Sequence, residues 1–223
     1  MKSSNSNRFY KFLEWMMWMM YLNLLWIAGT LMGLAIVGIF PATLAIVVTV
    51  REWHMKDDQI KMTQTFFRAW RKHFFAANGI GILYLLIGYI LYVDFYWIVD
   101  LQSDFRNVFV VFFFVFTIMF LISALYVFPA YAHFDTKILK TLKNATIVGV
   151  FSPFITILMG VLLLFLYYLY SLIPGLIPVI SVSVVLFTVT KLALFAFSHF
   201  DNKQQYLRDK NEQTLKKGEH THA

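Results

Sequence analysis

The sequence predicts an all-α integral membrane protein, a polytopic transmembrane helical bundle of about six helices with both termini in the cytoplasm. Of its 223 residues, 60% are hydrophobic and only 14% are charged, and the mean hydropathy is +0.66. Soluble domains carry about 25% charged residues, so this chain lacks the polar surface to face water on all sides. Apolar stretches near the ~20 residues that a membrane-spanning helix needs alternate with short basic segments.

The first apolar stretch is too long for one helix. No Asp, Glu, Lys or Arg occurs from residue 15 to residue 50. A single helix over that stretch would measure about 54 Å, against a hydrocarbon core of about 30 Å. Gly33, Gly38 and Pro41 mark the break, and Pro41 suits the first turn of a new helix, where its missing N–H costs nothing. The first two predicted helices are Phe12–Ala35 and Gly38–Met55.

Four further apolar stretches each match one crossing. Pro153 lies inside one of them and is predicted to kink it. Pro178 is predicted in the first turn of the last helix, after a tight turn. We therefore expect a single transmembrane domain over residues 1–200 and a polar cytoplasmic tail over 201–223. The four predicted helices are Ala76–Trp97, Val108–Tyr131, Thr146–Leu169 and Leu176–Phe200.

The distribution of basic residues tests the count of crossings. Lys and Arg concentrate at the N-terminus, in segments 51–75 and 132–145, and in the tail, whereas segment 98–107 holds only Arg106. Cytoplasmic segments carry the excess of Lys and Arg, and six crossings place all four basic segments inside. The net charge of +7 lies beside apolar spans, so anionic lipid headgroups are the expected partner and nucleic acid is not.

Two of the inner segments are predicted to form basic amphipathic helices. In each segment, aromatic and aliphatic residues fall on one helical face and Lys or Arg on another. Such helices anchor a protein in the headgroup region, and they also provide docking sites for a partner protein. The first segment places Phe66, Phe67, Trp70 and Phe74 opposite Arg68, Arg71 and Lys72. The second places Phe134, Ile138 and Leu142 opposite Lys137, Lys140 and Lys143.

Several short motifs, taken in order, resemble the YesL family of bacterial membrane proteins. They cover roughly residues 12–160, and Asn23 and Trp26 of the first helix also fit the family pattern. The motif positions are Gly38, Phe40, Pro41, Ala42 and Thr43, then Phe66-Phe67-Arg68-Ala69-Trp70 with Lys72 and Phe74, then Tyr126-Val127-Phe128-Pro129-Ala130-Tyr131 with His133-Phe134-Asp135, and finally Leu142-Lys143-Asn144-Ala145.

The resemblance implies where the protein works in the cell rather than a chemical reaction that it catalyses. The YesL family has no established biochemical activity and supplies no catalytic motif. Its members tend to be encoded beside carbohydrate ABC transporters, which implies a multi-pass protein of the bacterial cell membrane that works near sugar uptake. Carbohydrate ABC permease subunits are the partners that this setting suggests.

Recognisable enzymatic motifs are missing from the sequence. There is no G-x-x-x-x-G-K-[ST] nucleotide loop and no H-E-x-x-H motif, and the chain has no cysteine. The six histidines are scattered along the sequence. We therefore expect a protein that is not an enzyme and that holds neither a cofactor nor a metal.

Lys191 is the candidate functional residue inside the membrane. It lies about nine residues from the inner end of the last predicted helix, where a charge is costly and by default marks function. The alternative interpretation is that its long side chain extends to the cytoplasmic headgroups. Either a buried pair or an extended lysine fits the sequence.

An acidic and aromatic cluster lies at the predicted outer end of the helix Ala76–Trp97. Aromatic faces beside carboxylates can stack on and hydrogen-bond a sugar, so the cluster is a candidate binding site. The alternative is an interfacial aromatic belt with solvated acids. The cluster comprises Asp94, Tyr96, Trp97 and Asp100, with Tyr92 beside them.

Two functions follow as hypotheses. The first is a non-enzymatic accessory protein of a carbohydrate uptake system, which the family setting and the basic inner segments favour. The second is an autonomous small-solute transporter or channel, which Lys191 favours. An intramembrane enzyme has the least support, because the spans contain no polar pair suited to acid–base or nucleophilic chemistry.

Overall fold

The computed structural model describes residues 3–56, 60–102, 105–134 and 138–221, with side chains described within residues 8–200 of these ranges. Every regular element in these ranges is helical, which confirms the predicted all-α class. The helices are α1 (Ser3–Met32), α2 (Ile39–Lys56), α3 (Met62–Lys72), α4 (Phe74–Asp100), α5 (Arg106–Phe134), α6 (Ile138–Phe151), α7 (Pro153–Leu172) and α8 (Ile177–Thr221), with a 3₁₀ turn at Pro174–Leu176.

Five stretches of the described chain are long and apolar enough to cross a membrane, and they belong to α1, α4, α5, α7 and α8. Helix α2, which corresponds to the second of the six predicted crossings, is not one of these five stretches. It has 18 residues, and Arg51, Glu52 and Lys56 lie in its last two turns. The protein is thus a helical membrane protein, whereas the count of six and the cytoplasmic termini remain predictions.

Helix α2 occupies the centre of the bundle. It packs against α1, α3, α4, α5 and α8. Since its neighbours cover it on several sides, α2 does not need the continuous apolar surface of a helix that faces lipid. Its fully buried apolar side chains include Leu44, Ile46, Val47 and Val50.

The predicted break between the first two helices is confirmed, and close backbone approach explains it. Helix α1 ends at Met32 and α2 begins at Ile39, with Pro41 in the first turn of α2. A Cβ on Gly38 would lie 2.2 Å from the carbonyl oxygen of Thr30, so only glycine fits there. The left-handed residues of the turn are Leu34 and Ala35, with φ of 59° and 60°.

The predicted role of Pro153 is wrong. Pro153 does not kink a helix that begins at Thr146, because α6 continues to Phe151 and α7 begins at Pro153 itself. Proline has no N–H to donate and is therefore favoured at the first position of a helix. The apolar stretch from Thr146 to Leu169 is thus divided between two helices at Ser152.

The first basic segment forms a helix, as predicted, whereas the second is divided, because Phe134 is the last residue of α5 and Ile138, Lys140, Leu142 and Lys143 belong to α6. In α3 the basic residues Arg68, Arg71 and Lys72 are exposed, while Phe66 is fully buried. In α6 the apolar face packs on α5, and a Cβ on Gly149 would lie 2.3 Å from the Ile122 side chain. Asp135 and Lys137 lie outside the described residues. Helix α8 continues to Thr221, so most of the predicted tail is helical.

Candidate functional site

Lys191 contacts a histidine of another helix. Its Nζ lies 2.7 Å from Nδ1 of His54, at the end of α2, and 5.6 Å from the centre of the Phe187 ring. A lysine ammonium carries donors only, so in this hydrogen bond Lys191 donates and Nδ1 of His54 accepts. The contact joins the central helix to α8 across 137 positions of sequence.

This geometry combines the two sequence interpretations of Lys191. The lysine side chain is half-buried and directed toward the last turn of α2, which carries His54 and Lys56. A lysine that extends toward the cytoplasmic headgroups would also point toward the last turn of α2. A paired lysine needs a partner, and His54 provides one. The described contacts give Lys191 a structural role between α2 and α8, and they do not test a functional one.

Asn23 and Trp26, which fit the family pattern, hold α1 against its neighbours. The Asn23 side chain is 2% exposed, and its Nδ2 donates to the carbonyl oxygen of Pro178 at 2.7 Å. Nε1 of Trp26 donates to Oγ1 of Thr43 at 3.1 Å, and Thr43 in turn donates to the carbonyl oxygen of Ile39. Buried polar groups need such partners, so these residues fix the position of α1.

The other motif residues also have packing roles. A Cβ on Gly81 of α4 would lie 2.3 Å from the Phe40 ring, so the glycine makes room for that ring. Pro41 and Ala42 are buried in α2, and Pro129 is buried in α5. Phe128 is half-buried and packs against the core around α5 and α8. These positions shape the bundle and bring no reactive groups together.

The predicted outer cluster divides between two faces of α4. Tyr92 and Tyr96 form an edge-to-face pair with ring centres 4.9 Å apart, and both are exposed. Asp94 and Trp97 instead line a groove between α4 and α5. Asp100 is exposed at the end of α4. The cluster therefore occupies two faces of α4, and sugar binding by Asp94, Tyr96, Trp97 and Asp100 stays a prediction.

The predicted docking residues of α3 are partly covered by the protein itself. A Cβ on Gly29 of α1 would lie 3.0 Å from the Phe66 ring and 3.3 Å from Trp70, so both rings pack on α1. Phe67 and Phe74 are half-buried. Docking by this aromatic face stays a prediction, and the exposed surface of α3 is the basic one.

The groove between α4 and α5 is a feature that sequence reasoning missed. Its volume is about 730 Å³, and apolar side chains form most of its walls. Asp94 and Trp97 lie at one end, and Lys143 of α6 lies at the other. The lining residues are Tyr84, Ile87, Ile90, Leu91, Asp94, Trp97, Ile98, Phe109, Phe112, Phe113, Phe116, Met119, Phe120, Ser123, Leu142, Lys143 and Thr146.

Three hydroxyl groups from three helices meet at the Lys143 end of the groove. The Tyr84 and Ser123 hydroxyl oxygens lie 2.5 Å apart, and Thr146 Oγ1 lies 3.0 Å from Ser123 Oγ. Thr146 is also within 3.0 Å of the carbonyl oxygen of Leu142. No spacing in the sequence relates these hydroxyls, because each comes from a separate helix.

The described residues include no group of three His, Cys, Asp or Glu side chains placed to hold a metal ion. The chemistry they do offer consists of hydrogen bonds, apolar surface and basic charge. His54, Tyr84 and Ser123 are among the polar residues whose contacts the sequence analysis did not foresee.

The chain is similar to proteins without an assigned function. A family model described as a protein of unknown function, DUF624, matches residues 19–95. The uncharacterized protein YesL of Bacillus subtilis (strain 168) is 32% identical over 210 residues, which cover 92% of this chain and 97% of that protein. YteU of the same organism is 34% identical over 181 residues, 80% of each chain, and YesV is 26% identical over 178 residues, 80% of this chain and 86% of YesV. No solved structure matches.

Proposed function

Because this chain belongs to the YesL-like DUF624 family of uncharacterised proteins, we propose that it is a non-enzymatic accessory protein of a carbohydrate uptake system in the bacterial cell membrane. The proposed partner is an ABC-type permease subunit with acidic surface on its cytoplasmic side. The family setting suggests the transport system, and the structure supports a role in binding rather than in conduction.

The observation that carries the proposal is the packing at the centre of the bundle. Leu44, Ile46, Val47 and Val50 of the central helix are all fully buried. Among the buried residues of α2, Thr49 is the one with a polar side chain, and its hydroxyl donates to the carbonyl oxygen of Ala45 at 2.7 Å. A solute route needs polar groups or space along its length. An apolar, packed centre favours a protein that acts through its surface.

The basic face of α3 is the proposed docking surface. Arg68, Arg71 and Lys72 are exposed there, and Phe75, three residues further along the chain at the start of α4, is 88% exposed. Since Phe66 is buried in the bundle, the charged face is the one left for a partner. Complementary charge steers association and selects partners, and an acidic cytoplasmic surface would fit this face.

Copurification from the native membrane in mild detergent tests the proposal. The variant is Arg68→Glu with Arg71→Glu, and the matched control is Arg106→Glu, an exposed arginine at the start of α5. We expect carbohydrate permease subunits to copurify with the parent and the control and to be lost from the double variant. Absence of permease subunits from the parent would overturn the proposal, and so would equal recovery with all three proteins. Equal recovery would assign the face to lipid headgroups.

An autonomous transporter is the second candidate, and Lys191 favours it, because an ionisable residue within a membrane-spanning helix can lie on a solute path. Liposomes that contain only this protein separate the two functions. The accessory role predicts no sugar flux above that of empty liposomes. Flux that Lys191→Met abolishes would support the transporter instead.

A further inference from the structure

Three helices meet in an aromatic cluster next to Lys191. Trp15 of α1 and Trp53 of α2 both contact the Phe187 ring of α8, with ring centres 5.7 and 5.9 Å apart. Lys191 lies one turn after Phe187 in the same helix, and its Nζ is 5.6 Å from the centre of that ring. Tryptophan concentrates at membrane–water interfaces, and the orientation predicted from the basic segments places this end of α2 on the cytoplasmic side. The contacts therefore locate Lys191 close to the inner surface of the membrane.

Arg51, His54 and Lys191 form a basic cluster beside these rings. Nζ of Lys191 donates to Nδ1 of His54 at 2.7 Å. Arg51 precedes His54 by three positions in α2, and residues three apart lie on the same side of a helix, with Cβ atoms about 5–6 Å apart. Two cationic side chains from different helices thus lie on the same side of α2, and His54 holds one of them there.

Arg51 has no anionic partner among the described residues. Its side chain is half-buried, and its Nε is buried without a hydrogen-bond partner. The carboxylate next to it in sequence, that of Glu52, instead lies 3.1 Å from Nζ of Lys56. A guanidinium group binds two oxygens of one oxyanion at once, so a ligand of that chemistry would satisfy it. Asp57 and Asp58 follow α2 outside the described residues, and an external anion has to compete with them.

We propose that Arg51, His54 and Lys191 bind the phosphate group of a ligand at the cytoplasmic surface of the membrane. Arg51 and Lys191 are the donors, and His54 is the positioning residue that holds the lysine. A phosphate group suits two cations on separate helices, because it offers several charged oxygens, whereas a neutral sugar offers no charge. An anionic phospholipid headgroup and a soluble phosphate ester share this chemistry. The inference goes beyond the accessory role and does not depend on it.

Titration with inorganic phosphate at constant ionic strength tests the site. The delipidated full-length protein in neutral detergent is followed by calorimetry. We expect Arg51→Gln to weaken phosphate binding about tenfold, which is the effect of losing one hydrogen bond to a charged group. The matched control is Lys61→Gln, which removes an exposed lysine at the start of α3 and should change the affinity less than about twofold. Equal effects of the two variants would overturn the proposal.

Nanodiscs distinguish the two sources of phosphate. The protein is placed in phosphatidylcholine with or without phosphatidylglycerol, and glycerol phosphate serves as the soluble probe. For a lipid site, native mass spectrometry should show phosphatidylglycerol retained by the parent and by Lys61→Gln and lost from Arg51→Gln. For a soluble ligand, glycerol phosphate should bind the parent equally in both kinds of nanodisc. Either result supports a phosphate site. Binding of neither probe would overturn it and would leave Asp57 and Asp58 as the anions that Arg51 meets.

Two further positions keep the test valid if Arg51→Gln does not fold. Lys191→Met removes the second donor and should also weaken phosphate binding about tenfold. His54→Leu should weaken it about threefold, and His54→Asn, which retains an acceptor near the position of Nδ1, should restore it. A purely structural His54 would change thermal stability and leave the phosphate affinity of the folded protein unchanged. Unchanged affinity in both Lys191→Met and His54→Leu would contradict the proposed site.

Discussion

The removal of Lys191 and the removal of His54 should change the free energy of unfolding by unequal amounts. The ammonium lies 2.7 Å from Nδ1 of His54 and 5.6 Å from the Phe187 ring. At an exposed contact such as this one, a hydrogen bond contributes about 0.5–1.5 kcal/mol and a cation–π contact about 0.5–1 kcal/mol. Insertion scales assign a lysine at the centre of a span a cost of about 2.5–3.5 kcal/mol. Lys191→Met removes all of these terms, so it should be neutral or should stabilise the protein by up to about 2.5 kcal/mol.

His54→Leu keeps the charge and removes one of its acceptors, and it should cost about 0.5–1.5 kcal/mol, because His54 is exposed and water replaces part of the contact. The double variant should recover most of that loss, which corresponds to a coupling energy near 1 kcal/mol. Unfolding in mixed detergent micelles measures the three variants against the parent. A control cycle pairs His54→Leu with Thr188→Val, whose hydroxyl donates within α8, and should be additive. Additivity of the Lys191–His54 cycle within about 0.5 kcal/mol would refute the reasoning.

Two backbone contacts give further predictions. Gly149→Ala places a Cβ 2.3 Å from the Ile122 side chain and should destabilise the protein by about 1–3 kcal/mol. The matched variant Gly160→Ala places its Cβ where no atom lies within 4 Å, so it should stabilise the protein by up to about 1 kcal/mol. Thermal stability in detergent compares the pair, and equal shifts would show that α6 does not approach α5 as described. Leucine at both Gly38 and Pro41 should reduce the yield of folded protein, because a side chain at position 38 meets the backbone of α1. Unchanged yield and unchanged topology would show that the turn is determined elsewhere.

Much of the fold was predictable because its causes are local. The length of apolar stretches, the glycines near residues 33–38 and the position of Pro41 determine where α1 ends and α2 begins. The alternation of basic and aromatic residues likewise predicted the amphipathic α3. These features depend on neighbours within a few turns, and a single sequence contains that information.

Other features depend on packing between distant segments. The apolar residues that continue from α6 into α7 concealed the break at Ser152, so the two helices read as one. Helix α2 carries Arg51, Glu52 and Lys56, which is unusual for a membrane-spanning helix, yet it lies at the centre of the bundle. His54 is 137 positions from Lys191, and the groove hydroxyls come from three helices. No local pattern marks such contacts.

The orientation of the chain in the membrane underlies the proposed docking surface on α3. The sequence has no cysteine, so single cysteines at Ser6, Thr63, Ser103 and Thr214 can be probed with an impermeant thiol reagent in intact cells. Six crossings with the basic segments inside predict that only the Ser103 cysteine is labelled. Labelling at Ser6, with Thr63 protected, would mean that the region of α1 and α2 crosses the membrane once. Labelling at Thr63 would place the basic face of α3 outside the cell and contradict the proposed function directly.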